Sequence, residues 1–275
     1  MADSRPSDSG TALQPPPAVP SLSSIRQTPV PSRLDQLLVA RGLFPSREQA
    51  RRAVMAGLVS VDGHRLDKPG TPVAAAAALA VAAREPYVSR AGRKLEHALD
   101  HYGIQPEGWT CLDVGASTGG FTDCLLAHGA RRVYALDVGY GQLDPRLRHD
   151  PRVVVMERVN ARHLAADAMP EPARLITVDV SFISLAKVVP ALLPHLAPGG
   201  LLLPLIKPQF EAGRGAVGKG GILRDEARRR QAIDDCAGSL AACGDLELAG
   251  ACFDSPVAGS GGNREAFALL RRRER

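Results

Sequence analysis

Apolar and polar positions change period several times along the chain, and each change marks an element. In RLDQLLVARG, Leu34, Leu37, Leu38 and Val39 fall near one face at helical spacing, with Ser32 placed to cap the start and Gly42 to end it. A second helix is predicted over SREQARRAVMAG, where Ser46 and Gln49 have capping-box spacing and Gly57 closes the run. LVSVDG then alternates, and Asp62-Gly63 reads as a hairpin turn. The segment is thus helix, helix, small sheet. From Thr110 the pattern becomes that of a larger fold. TCLDVG, RVYALDVG, VVVME, LITVDVS and LLLPLIK are short apolar runs, separated by helix-like stretches such as FTDCLLAHG and SLAKVVPALLPHL. That alternation predicts a parallel sheet with helices on both faces. LELAGACF and EAFALLRR flank a Gly/Pro/Ser-rich turn and predict an antiparallel hairpin on the sheet edge.

Residues 1–31 differ from all of this. They hold seven prolines and little periodic apolar content, too little to offset the entropy of ordering, and are expected to be a disordered tail. The longest apolar run, Val73 to Ala83, is shorter than the ~20 residues that cross a bilayer. The amino-terminal stretch also lacks the apolar core of a signal peptide, so a cytoplasmic location is expected. With 45% hydrophobic and 23% charged residues, the 275-residue chain has ordinary globular balance. Its five cysteines are odd in number and form no CxxC, which argues for buried thiols and against a disulfide framework or a metal site.

Charge sharpens the picture. The net charge is +5, but residues 1–31 sum to zero. Residues 32–95 carry eleven Lys/Arg against five Asp/Glu, a net of +6, which leaves −1 for the remainder. A concentrated basic block points to a polyanion. Arg47 and Arg51 share a helix face, with only Glu48 interleaved, and phosphate contact is the better reading.

Candidate chemistry lies at the strand ends. After the first strand of the larger fold, Asp113 opens a run whose small residues, among them Gly115, Ser117, Thr118 and Gly119, let backbone approach a ligand. The spacing is not GxGxxG, so a nicotinamide pyrophosphate is not indicated. Asp137 ends the next strand, where a carboxylate can accept from the two ribose hydroxyls of an adenosine. Together these make S-adenosyl-L-methionine the leading ligand, although aspartates at strand ends are also common turn residues. Asn160, after the third strand, is placed to meet the adenine ring or to cap a helix. Gln209–Asp225, glycine-rich with Arg214, Lys219 and Arg224, could close over RNA or be a solvated loop. Arg271–Arg273 could touch phosphate or fray.

Two resemblances extend these readings. RLDQLLVARGLFPSREQARRAVMAGLVSVDGHRLDKPG resembles the S4 RNA-binding module. That resemblance makes Arg33, Arg47, Arg51, Arg52 and Lys68 candidate RNA contacts, and with few aromatics the expected recognition is by shape and phosphate. Further on, YVSRAGRKLEHAL, LDVGASTGGFTDCLL, DVGYGQL, DPRVVVMERVNAR, DVSFISL, LIKPQFEAGRGAVGKGGI and GNREAF resemble the TlyA family. Its members are S4-fused relatives of the FtsJ-type ribose methyltransferases, some known as haemolysins. One departure is SRAGRKL, where many relatives have a second glycine. The likeness spans about residues 32–272 and implies an α/β fold: a Rossmann-like class I methyltransferase domain with a seven-stranded mixed sheet, preceded by a small α+β S4 domain. The implied division is a tail over 1–31, the S4 domain over 32–86 and the methyltransferase domain over 87–275. The implied reaction is 2′-O-methylation of ribosomal RNA, on cytidine, with S-adenosyl-L-methionine. The partner is ribosomal RNA or a ribosomal subunit, with no membrane and no obligate protein partner. Matched motif by motif, the family's Lys-Asp-Lys-Glu tetrad falls on Lys94, Asp179, Lys207 and Glu265.

The tetrad makes chemical sense. A ribose hydroxyl is a weak nucleophile and must lose its proton as it attacks a sulfonium methyl. A lysine can take that proton only where burial or a neighbouring cation disfavours its charged form. Lys207 follows six apolar residues and Asp179 ends a neighbouring strand, so one can orient the other. A binding-only assembly factor would keep the basic block but would not need these groups together. A membrane-lytic protein would need an amphipathic or spanning segment that the alanine-rich stretch does not supply.

Overall fold

The computed structural model describes residues 31–82, 85–213, 218, 221–259 and 261–274. The proline-rich segment before Pro31, together with Arg214 and Lys219, lies outside them. The chain forms two compact units divided between Arg84 and Glu85.

In the smaller unit, helices Leu34–Ala40 and Arg47–Met55 share a core with an antiparallel sheet of His64–Arg65, Val59–Val61 and Leu79–Val81. Leu34, Leu37 and Leu38 are buried and Val39 half-buried, as the periodicity requires. Ser46 caps the second helix, its hydroxyl accepting from the Gln49 N–H at 3.3 Å. Asp62 and Gly63, with φ of 51° and 81°, make the hairpin turn between Val61 and His64. Ser32 is not a cap. It sits in a two-residue strand, opposite Val73, and Arg33 takes the cap position without a side-chain bond. The physical reason is that the incoming chain already satisfies the helix start: Leu34 N–H donates to Thr71 O and Asp35 N–H to Pro69 O. The alanine-rich run is not helical, since it supplies strands Pro72–Val73 and Leu79–Val81. Among the described residues no helix is long and apolar enough to cross a membrane.

The larger unit holds a mixed sheet. Its main strands are β1 (Thr110–Val114), β2 (Arg132–Asp137), β3 (Val153–Glu157), β4 (Ala173–Val178), β5 (Leu196–Ile206), β6 (Leu246–Leu248) and β7 (Leu270–Arg272). The order is β3-β2-β1-β4-β5-β7-β6, with β1 to β5 parallel and β7 antiparallel to both neighbours. A short pair, Phe253–Asp254 with Ala266–Phe267, continues the antiparallel arm along the end of β5. The hairpin is therefore real, but only β6 is an edge. β7 lies inside, between β5 and β6. Composition explains the choice: Ala266 to Leu270 are all buried, whereas Glu247 and Leu248 are exposed.

Helices α1 (Arg90–Tyr102) and α2 (Gly120–Ala127) cover one face and α3 (Glu226–Ala241) the other. Alternation along β1 divides its side chains: Cys111 packs with Leu95, Leu99 and Leu125, and Leu112 and Val114 pack with Ile233 and Leu240. Each leucine buried this completely contributes about 1.5–3 kcal/mol. Strand order reverses between β1 and β4, so a crevice opens at their carboxyl ends. Gly115 and Asp179 are the residues that follow those two strands.

Candidate active site

The crevice is a cavity of about 560 Å³. Gly115 and Ser117 line it from the β1 loop, Asp137 from the end of β2, Val138 from just past it, Asn160 from the β3 loop, and Asp179 to Ile183 from the β4 loop. Gly115 has φ 86°, and a Cβ there would stand 2.4 Å from the Asp179 carbonyl oxygen, so the β1 and β4 loops meet only because it is glycine. Asp137 fastens two further segments. Its carboxylate accepts from Ser117 N–H at 2.8 Å and Gly139 N–H at 2.7 Å. Asn160 caps a short turn by accepting from Arg162 N–H, and it also lines the cavity.

Not every residue expected at the ligand faces the cavity. Thr118 borders a smaller cavity of about 170 Å³, together with Ser89, Ala91, Gly115, Ser117 and Asp179. Gly119 is buried, and a Cβ there would strike Leu147 and Leu143. Asp113 is 0% exposed, and its oxygens accept from Thr122 and Thr177 hydroxyls at 2.7 and 3.3 Å. It supports the loop from below and is not a ligand contact. Burial raises its carboxyl to about 7, against the two threonine hydrogen bonds that oppose the shift. Between the ordinary carboxyl value near 4 and about 7, the native state therefore holds a proton that the unfolded state has released. Stability from this group is full below pH 4 and falls as pH rises through 7. Asp113→Asn should remove that slope. Denaturant midpoints of the full chain measured from acid to mildly alkaline pH should show the variant gaining on wild type as pH rises, by up to about 4 kcal/mol.

The four tetrad positions form two ion pairs. Lys207, just past β5, places Nζ 2.7 Å from Asp179 Oδ1 and donates to Ser181 Oγ at 2.8 Å. Lys94, on the first turns of α1, donates to Glu265 Oε2 at 2.6 Å. That second pair is deep, with Lys94 8% and Glu265 3% exposed. Asp179 borders both cavities, and Ser181 borders the larger.

Periodicity did not find the residues at the mouth. Phe182 is 90% exposed at φ 64°, with its ring 5.1 Å from Phe210. Arg158, at φ 59°, lies over the Tyr140 ring at 4.2 Å. With Ser117 at φ 48°, two of the four non-glycine residues at positive φ among those described, Ser117 and Phe182, line this crevice. Strain of that kind persists where surrounding structure imposes it, and it gathers at ligand sites. The only sequence signal was an aromatic following Ser181 where a polar turn would be ordinary.

In the smaller unit, Asp35 was also missed. It is 0% exposed and binds both Arg33 and Arg47, at 3.1 and 2.9 Å. Those cations hold its carboxyl below the usual range. The two arginines thus have a structural partner as well as an outward-facing charge. Arg51 and Arg52 approach Glu48 at 3.8 and 3.7 Å, and Lys68 is exposed. Elsewhere, Arg272 donates to the Leu193 and Leu196 carbonyls and Arg273 pairs with Glu247, so neither frays. All five cysteines are free thiols, and among the described residues no group of ligands could hold a metal.

Comparison with known proteins places this geometry. The profile of the FtsJ-like methyltransferases matches residues 87–272, and that of the S4 domain matches residues 32–77. The chain is 45% identical over 242 residues to the 16S/23S rRNA (cytidine-2'-O)-methyltransferase TlyA of Mycobacterium tuberculosis, covering 87% of this chain and 90% of that protein. It is 43% identical over 237 residues to Hemolysin A of Brachyspira hyodysenteriae, covering 86% and 98%. Among solved structures, a candidate hemolysin from Streptococcus thermophilus superposes with a TM-score of 0.68 at 41% identity, covering 90% of each chain.

Proposed function

The chain belongs to the FtsJ-like methyltransferases, in their S4-fused TlyA form, and from that premise we propose that it transfers a methyl group from S-adenosyl-L-methionine to the 2′-hydroxyl of a cytidine in ribosomal RNA. It is a Rossmann-like class I methyltransferase with an S4 domain before it. A protein acting on ribosomal RNA works where ribosomes are, in the cytoplasm. The observation that carries the reading is the pairing of Lys207 with Asp179 at the rim of an adenosine-sized cavity.

The residues present fit the cofactor. Asp137 presents a carboxylate beside apolar walls formed by Leu136, Val138, Val159 and Ile183, and the Gly115 backbone leaves close approach open. The cofactor's contribution is an electrophilic methyl on a sulfonium. The protein's own groups then have distinct tasks. Lys207 Nζ, as the free amine, takes the hydroxyl proton, Asp179 and Ser181 hold that nitrogen in place, and the Lys94–Glu265 pair sets buried charges beside the reacting ribose. Phe182 offers an exposed ring on which a base can stack. Arg33, Arg47, Arg51, Arg52 and Lys68 meet RNA phosphate from the S4 unit.

Ribosomal RNA treated with the protein and labelled S-adenosylmethionine should acquire ribose methyls, read as alkali-resistant linkages. Methyls on bases alone would overturn the assignment. Calorimetry should show S-adenosylmethionine binding weakened about 10–100-fold in Asp137→Ala, the cost of losing a charged hydrogen-bond partner. Equal or tighter binding of NAD by the wild-type chain would overturn the cofactor.

A further inference from the structure

The basic block does not stop at the S4 unit. Of the net +6 over residues 32–95, +4 falls on 32–84, with eight cations and four acids. The other +2 falls on 85–95, where Arg90, Arg93 and Lys94 stand against Glu85. Those three basic residues lie on the first turns of α1, within the catalytic unit.

Arg90 and Arg93 are exposed, and among the described residues neither has an ion pair or a side-chain hydrogen bond. Several other arginines of this unit are paired or covered. At the amino-terminal ends of the strands, Arg131 and Arg132 pair with Glu171, Arg152 pairs with Asp150, and Arg174 lies over Trp109. Those charges are neutralised or covered, and they face away from the crevice. Arg90 and Arg93 are left open at the catalytic end.

Their position also opposes helix stability. The first turn of α1 carries no acidic residue. Cations at a helix amino terminus meet the positive end of its dipole and oppose the helix. Nothing in the helix recovers that cost, but a polyanion would. Three residues apart, the two side chains share a face. Ser89 and Ala91, which flank Arg90, border the small cavity with Asp179, and Lys94, four residues on from Arg90, is bonded to Glu265. A strand whose ribose enters between Asp179 and α1 must bring its adjoining phosphates past this turn.

We propose that Arg90 and Arg93 form a phosphate clamp of the catalytic unit, gripping the RNA backbone beside the target nucleotide independently of the S4 unit. The clamp rests on the methyl-transfer reading for the identity of its polyanion. It makes the catalytic unit an RNA-binding surface in its own right.

The test uses the full chain with a mixture of deproteinised 16S and 23S ribosomal RNA, its affinity measured over a salt series. Removing one phosphate-binding cation flattens the log–log slope by about 0.7–0.9. Arg90→Gln and Arg93→Gln should each flatten it by that amount, and the double variant by about 1.4–1.8. Lysine at both positions should restore the wild-type slope. Calorimetric binding of S-adenosylmethionine reports whether each variant is folded, and if the double variant fails that check the single variants carry the test. An unchanged slope in folded glutamine variants overturns the clamp. Failure of the wild-type chain to bind S-adenosylmethionine would instead overturn the methyl-transfer reading and leave the slope measurement standing.

Discussion

Replacing Lys207 by alanine should abolish methyl transfer while S-adenosylmethionine and RNA still bind. The side chain makes two contacts, to Asp179 at 2.7 Å and Ser181 at 2.8 Å, and both are at the crevice rim, outside the hydrophobic core. Its loss therefore removes chemistry more than fold. A positioned general base is typically worth ~10²–10⁴-fold, and that is the expected fall in single-turnover rate. Lys207→Arg should fail nearly as badly, because a guanidinium keeps its proton and cannot accept another. Asp179→Asn keeps the shape and loses the charge that orients the ammonium, so it should also be strongly impaired. Ser181→Ala removes one neutral partner and should be the mildest of the four. Near wild-type turnover in Lys207→Arg would leave Lys207 as an electrostatic contact only.

Much of this arrangement could be read from the chain because the relevant residues are anchored to local pattern. Asp179 and Lys207 each follow an apolar strand, β4 and β5, and those strands are adjacent and parallel. Any sheet built from those runs brings their ends together. The same holds for Gly115 and Asp137, at the ends of β1 and β2. What pattern could not supply was contact between segments distant in sequence. Asp35 sits in a helix that reads RLDQLL, where an acidic residue after an arginine looks like a solvated first-turn position. Only the arrival of Arg47 from the second helix and of residues 69–71 makes it a buried ligand for two arginines. Ser32 was misplaced for the same reason, since a strand partner at Val73 outcompeted the local cap. The position of β7 inside the sheet depends on burial at both of its edges, which a hairpin pattern does not encode. The positive φ values of Arg158 and Phe182 leave no trace in composition at all.

The pair least visible to local pattern should show the second large effect. Lys94 and Glu265 are 171 residues apart, one on α1 and the other beside the short strand Ala266–Phe267, and only family likeness joined them. Both are buried, and their 2.6 Å contact has little room to relax: a Cβ on Gly259 would stand 2.4 Å from Glu265 Oε1. Removing either partner leaves a buried charge without compensation, which costs about 3–5 kcal/mol. Lys94→Met and Glu265→Leu should therefore each lower the melting temperature sharply and lose methyl transfer, a result that alone cannot separate fold from chemistry. The double variant can. Replacing a buried ion pair by apolar groups of similar volume is often neutral or stabilising, so Lys94→Met/Glu265→Leu should recover most of the melting temperature and the binding of S-adenosylmethionine. Its single-turnover methyl transfer should stay absent, because the buried charges of Lys94 and Glu265 then no longer lie beside the reacting hydroxyl. Recovery of methyl transfer along with stability would make the pair a structural clasp and leave Lys207 with Asp179 as the whole of the catalytic apparatus.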